Sequence, residues 1–282
     1  MGTMREPSVS GTFYPDDPVK LRRDLERYLG SIPASESSTA PVRAAVVPHA
    51  GYPYSGSVAA GAFQLLRGAI YDLVLLLGPS HRFWFDGVSV APFSSYKTPL
   101  GNLQVERKAV EGLLATGAPF VSIQDAHFLE HSLEVQLPWL QHLLQPGFSI
   151  LPLLFGSLDE ASQLECGRTL HELFYRKGTL FLCSTDLSHD HLYDEALTMD
   201  SRVRDAVVRR DRAELSRLFS SGDGEACGRM GLLSLLACLE EEELHGRVSG
   251  FSNSGDVVGD RRSRIVGYLS AVFEEVLDAP EE

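Results

Sequence analysis

Short, almost unbroken apolar runs alternate along this chain with longer segments whose apolar residues recur every three or four positions. The runs at 43–47, 73–77, 87–91, 149–155, 180–183, 247–252 and 265–272 predict strands. Several are apolar over four to six consecutive residues, the pattern of strands covered on both faces rather than one. The periodic segments at 18–29, 57–66, 106–116, 132–144, 160–175, 194–209, 212–220 and 228–239 predict helices. Strands alternating with helices over the whole length imply an α/β fold. We expect a single domain over 1–282, with a central mostly parallel or mixed sheet and helices on both faces. The Ser-, Ala- and Pro-rich stretch 31–41 reads as a surface loop, and the acidic end 278–282 as a frayed tail.

Composition adds exclusions. With 282 residues, 44% hydrophobic and 22% charged, the chain can bury about three quarters of its unfolded surface without a disulfide framework. Its net charge of −13 repels phosphate backbones, so nucleic acid and anionic membranes are poor partners. The basic stretch around Arg202, Arg204, Arg209, Arg210 and Arg212 is interrupted by Asp205 and Asp211 and reads as a solvated helix face. No apolar run is long enough to span a bilayer, and the N-terminus lacks the apolar core of a secretory signal. Four cysteines without a C-x-x-C pair fit a reduced, cytoplasmic protein.

The chemistry gathers where apolar strands end. The first core strand runs into Pro48-His49-Ala50-Gly51-Tyr52, and the second into Gly78-Pro79-Ser80-His81. Two imidazoles at equivalent strand ends share one sheet edge, which makes His49 and His81 candidate metal ligands. A third strand runs into Ser184-Thr185-Asp186-Leu187-Ser188-His189. There Asp186 could orient His189 as a general base. Ligands of such folds bind beyond the carboxyl ends of the strands. Tyr54 and Arg82 flank the two histidines, where strand-end packing or a surface ion pair is the plainer role.

Cys227 precedes an apolar helix, a setting in which the helix end favours a thiolate. Cys166, Cys183 and Cys238 lie on apolar stripes or a buried strand and read as core. His127-Phe128-Leu129-Glu130-His131 matches H-x-x-E-H, the inverted zinc-peptidase motif, which requires both histidines on one helix. Here the helix is expected to begin only near Ser132. No G-x-S-x-G elbow, phosphate-binding P-loop or G-x-G-x-x-G fingerprint is present.

Together these motifs resemble the Memo family, whose bacterial and archaeal members are also called AmmeMemoRadiSam system protein B. The resemblance runs from Arg5-Glu6-Pro7 and Gly11-Thr12-Phe13-Tyr14-Pro15 through the two histidine motifs and Tyr54-Ser55-Gly56. It continues over Thr98-Pro99-Leu100-Gly101, Glu130-His131-Ser132-Leu133-Glu134 and Ser184 to His189, and ends at Cys227-Gly228 and Asn253-Ser254-Gly255-Asp256. It implies a fold related to the class III extradiol dioxygenases, which are non-haem iron enzymes. It also implies one mononuclear site of iron or copper, with zinc as a further option, held by His49, His81 and Cys227. His189 and His131 then match pocket histidines, Asp186 supports them, and Tyr54 and Phe13 line the ligand site. Phe13 stands where animal members have Trp. A cysteine replaces the glutamate ligand of the dioxygenases, which shifts the site toward softer ions and makes it oxidisable.

The sequence thus leaves three readings. The first is a redox-active metal protein of the oxidoreductase class. The second is a binding module that keeps the pocket for a peptide or a partner protein without turnover, and the third a zinc hydrolase; the pocket's own small-molecule or peptide ligand is left open. The family name further implies AMMECR-type and radical-SAM proteins as partners.

Overall fold

The structure is a computed structural model, and it describes residues 3–32, 40–176 and 178–276. Most of the expected 31–41 loop and the expected tail at 278–282 therefore lie outside the described residues. In chain order the strands are β1 (Met4–Arg5), β2 (Val42–Val47), β3 (Leu73–Pro79), β4 (Val88–Val90), β5 (Ser95–Thr98) and β6 (Gly101–Gln104). They continue as β7 (Phe120–Val121), β8 (Ser149–Phe155), β9 (Thr179–Ser184), β10 (His189–His191), β11 (Leu244–Asn253) and β12 (Ile265–Glu275). The helices are α1 (Pro18–Gly30), α2 (Tyr52–Phe63), α3 (Arg107–Thr116), α4 (Gln124–Phe128) and α5 (Leu137–Leu143). They continue as α6 (Glu160–Phe174), α7 (Tyr193–Val208), α8 (Arg212–Ser221), α9 (Arg229–Cys238) and α10 (Ser254–Val258).

Nine strands form one mixed sheet in the order β10-β12-β2-β9-β3-β8-β4-β7, with β11 paired on β12. Its centre, β2-β9-β3-β8, is parallel, and these four strands are almost wholly buried. That burial explains why they read as continuous apolar runs: neither face meets water. Helix α2 packs on β2, β11 and β12 together with α1 and α5, whereas α9 packs on β3, β8 and β9 with α6 behind it. The mixed α/β architecture matches the expectation. Among the described residues, no helix is long and apolar enough to cross a membrane.

Several boundaries differ from the sequence reading. Helix α2 starts at Tyr52, five residues before the expected 57, because Pro53 occupies the first turn, where its missing N–H is no loss. The expected helix at 132–144 begins as a 3-10 turn at Glu134–Gln136 and becomes α-helical only at Leu137. A three-stranded sheet, β1-β5-β6, went unpredicted. Its strands are two to four residues long and partly polar, below what alternation alone can reveal.

Candidate metal centre

Three adjacent parallel strands, β2, β9 and β3, point their carboxyl ends at one spot. Each delivers one polar group there: His49 follows β2, Asp186 follows β9 and His81 follows β3. A fourth group, His131, arrives from the loop between α4 and the 3-10 turn. That loop approaches β3 so closely that a Cβ on Gly78 would lie 2.6 Å from Leu133 and 2.9 Å from Ser132 Oγ. Only glycine permits this contact, and the contact brings His131 beside His81.

His49, His81 and His131 offer nitrogens that all lie within 4.8 Å of one another. Their ring centroids are 4.7–5.4 Å apart. His49 is buried, His131 half-buried and His81 open toward solvent. Three donors to one ion, each about 2.1 Å from it, stand roughly 3–4 Å apart, so the rings would draw together slightly to hold a single cation.

Each ring is held from behind. Ser184 Oγ donates to the Ser132 carbonyl at 2.6 Å and accepts from Gln136 Nε2 at 2.9 Å. Its 3.0 Å contact with His49 Nδ1 therefore places the proton on Nδ1 and leaves Nε2 with a lone pair. His81 Nδ1 lies 2.9 Å from Glu130 Oε1, and His131 Nδ1 lies 3.3 Å from the same oxygen. The His131 ring thus meets this carboxylate through charge alone, while the His81 ring turns Nδ1–H toward it and frees Nε2. This is how ligating histidines are oriented in metal proteins.

Glu130 is the residue that sequence reasoning undervalued. It is buried, and its carboxylate accepts backbone N–H bonds from His81, His131 and Ser132 besides the His81 ring. Burial alone would raise its pKa, but the hydrogen bonds and charge of His81 overcome this and hold it at about 2. The glutamate of H-x-x-E-H was the available signal. The rest of that motif does not apply, because α4 ends at Phe128 and the two histidines share no helix. His127 instead turns its nitrogens to Tyr96 Oη at 2.9 Å and to Ser89.

Burial lowers the pKa of His49 to about 3 and of His131 to about 4, so both rings stay neutral and available as donors. Asp186 is buried at the end of β9 and accepts from the backbone N–H of His49 at 2.8 Å and of Ala50 at 3.3 Å. Burial raises its carboxyl pKa, opposed by these two bonds. Its contacts fix the His49 turn, where the sequence reading had it orienting His189. His189 stands exposed on β10, near enough for its charge to act on both Asp186 and His49.

Cys227 Sγ is 3.2 Å from His49 Nε2 and 3.2 Å from the Asp186 backbone N–H. It lies outside the mutually close trio. Gly228 behind it donates to Thr185 Oγ1 at 2.8 Å. The expected help of the helix end does not decide the thiol's charge. Burial and the neighbouring Asp186 push its pKa up to about 12, so without a cation it stays protonated. Phe13, half-buried, packs its ring 5.0 Å from His131. Tyr54 is exposed on the first turn of α2 and acts electrostatically on Tyr268. Arg82 is exposed beside His81. Cys166, Cys183 and Cys238 are buried free thiols.

The N-terminal arm clamps the His131 loop. Arg5 is buried and donates Nε to the His127 carbonyl at 2.7 Å, Nη1 to Glu134 at 2.8 Å and Nη2 to the Glu130 carbonyl. Glu134 also accepts from the Ser8 and Val9 N–H groups and from Tyr14 Oη. The arm thereby fixes Phe13 over His131.

This arrangement can be set beside known proteins. The family model for Memo-like proteins matches residues 5–272. The chain belongs to the Memo family. A MEMO1 family protein of Methanosarcina barkeri is 33% identical over 274 residues, covering 96% of this chain and 100% of that one. Memo relatives from Sulfolobus acidocaldarius and Aquifex aeolicus are 34% and 32% identical, each covering 96% of this chain and 99% of the relative. Among solved structures, the uncharacterized protein JW3007 of Escherichia coli K12 shares the fold. Its TM-score is 0.57 at 15% identity, covering 82% of this chain and 99% of that one. Within this Memo protein, every element that carries the centre lies inside the matched span.

Proposed function

We propose that this Memo protein is a redox-active metal protein whose single iron or copper ion is held by His49, His81 and His131, with Cys227 as a further donor. The observation that carries the reading is the convergence of three histidines, two of which, His49 and His81, have their Nδ1 atoms tied back by hydrogen bonds. A surface cluster of histidines has no reason to be oriented in this way. The thiol beside His49 Nε2 adds a soft donor, which favours a redox ion over a hard one such as magnesium.

When bound, such an ion would supply one-electron chemistry at a partly open site. The chain's own groups do the rest. Burial keeps His49 and His131 neutral, and the Glu130 carboxylate supplies the compensating negative charge. Phe13 shields one side from water. His189, exposed at the rim and close to Asp186, is placed to carry protons between solvent and the site.

The test is metal content by plasma mass spectrometry on anaerobically purified protein, beside His49→Ala, His131→Ala and Cys227→Ala. Near-stoichiometric iron or copper, lost in His49→Ala and His131→Ala, supports the reading. Loss in Cys227→Ala as well makes the thiolate an essential ligand. Wild-type protein that holds no metal and takes up neither Fe(II) nor Cu(I) overturns it.

A further inference from the structure

Next to the histidine trio lies a cavity of about 270 Å³ that the trio does not use. It opens between the loop after β3 and the turn before α9. Ser80, Phe83 and Trp84 form one wall, and Cys227, Arg229 and Met230 the other. Its volume accommodates one ring with a substituent and is too small for a folded partner.

Two features of its lining call for a ligand of one particular kind. Trp84 is 84% exposed and Phe83 38% exposed, so two large rings meet water at the mouth of a concave site. Covering them is favourable, and flat rings are covered best by another ring. The Ser80 hydroxyl donates to the Phe83 carbonyl at 2.6 Å, which fixes the turn that presents them. Opposite, Arg229 is exposed, and among the described residues its guanidinium has no ion pair or hydrogen bond. Many other arginines of this acidic chain are paired with carboxylates. A free guanidinium lining the same cavity as two exposed rings matches a carboxylate, which it can take with two parallel hydrogen bonds.

We propose that this cavity binds a small aryl carboxylate, its ring against Trp84 and Phe83 and its carboxylate on Arg229. The ring would then lie beside Cys227, at the margin of the metal centre. The proposal deepens the metal reading and rests on it for the ligand's role as a reactant, though not for binding itself.

The test titrates the full-length protein with benzoate and phenylacetate by calorimetry and by tryptophan emission. Benzamide serves as the uncharged control and cyclohexanecarboxylate as the non-aromatic one. Trp139 is buried and stacked on Phe63, so a ligand-dependent change in emission reports Trp84. We expect saturable binding, weakened about tenfold or more in Arg229→Gln, as for loss of a charged hydrogen bond. Trp84→Leu should also weaken it, and both controls should bind less well. Both side chains are exposed, and an unchanged melting temperature will confirm that the variants fold. No saturation by about 10 mM, equal binding of benzamide, or indifference to Arg229→Gln overturns the proposal. Repeating the titration on His49→Ala separates the two readings. Binding that persists without metal keeps this subsite even if the metal reading fails. Metal uptake without aryl binding leaves the metal reading standing and removes the subsite.

Discussion

Oε1 of Glu130 lies 2.9 Å from Nδ1 of His81, while the same carboxylate receives the His81 backbone N–H. Ring and main chain of one histidine are thus gripped by one side chain. Glu130→Gln keeps the shape but removes the charge that holds Nδ1–H, and outer partners of this kind are worth about 10–100-fold in metal affinity. Competition against a chromophoric chelator should show that loss. Unchanged affinity would mean that Glu130 serves only the loop.

Arg5 and Glu134 form a buried ion pair at 2.8 Å, with side chains 1% and 0% exposed. Removing one partner strands the other in the interior, so Arg5→Ala should lower stability by about 3–5 kcal/mol. Combined, Arg5→Met and Glu134→Leu should lose less than these two single variants added together, so wild type, both singles and the double form one cycle. Urea unfolding of the four proteins measures the coupling directly.

Stability of the metal-free protein should fall as the solution becomes acid. His127 is buried among Tyr96 and Ser89, and burial lowers its pKa to about 3. The folded state therefore refuses a proton that the unfolded chain takes up near pH 6.5. Stability tied to this group is present above about 6.5 and is lost as pH falls toward 3, with a slope of at most about 1.4 kcal/mol per pH unit. His49 and His131 act in the same direction. Asp200, raised to about 6 chiefly by burial, acts oppositely, its contribution being lost as pH rises from about 4 to 6. Urea midpoints at pH 7, 6 and 5 should decline, and more gently in His127→Asn.

Gly228 allows Cys227 its place. A Cβ there would lie 2.7 Å from Thr185 Cβ and 2.8 Å from the Ser184 carbonyl. Gly228→Ala should cost about 1–3 kcal/mol by overpacking and should also disturb metal binding. Gly112, inside α3 with nothing near its added methyl, makes the contrast. Gly112→Ala should stabilise by about 0.5–1 kcal/mol. If both substitutions behave alike in thermal melts, the close approach at Gly228 is not what holds the turn.

The legible parts of the site were those encoded locally. Buried strands announce themselves as apolar runs, so His49, His81 and Asp186 could be assigned to strand ends from the chain alone. Glu130, Arg5 and Glu134 could not be given their roles, because each acts on residues far away in sequence. Arg5 reaches Glu134 across 129 positions, and no periodicity records such a contact. The state of the metal-free Cys227 thiol was not legible for a related reason. Its place before a helix was visible, but its burial against Asp186 was not. The short strands β1, β5 and β6 escaped because their pairing, rather than their composition, makes them strands.

His49 and Cys227 touch although 178 residues separate them. The strand before His49 joins its neighbours by parallel pairing, which needs long crossovers, and the turn holding Cys227 leads into α9, which packs on that sheet. Such topology favours slow folding, and it denies the nascent chain the Cys227 donor until most of it has been synthesised. An ion that demands the thiol together with the three histidines therefore meets only largely complete molecules, and a truncated chain ending before Cys227 should be unable to assemble the complete donor set.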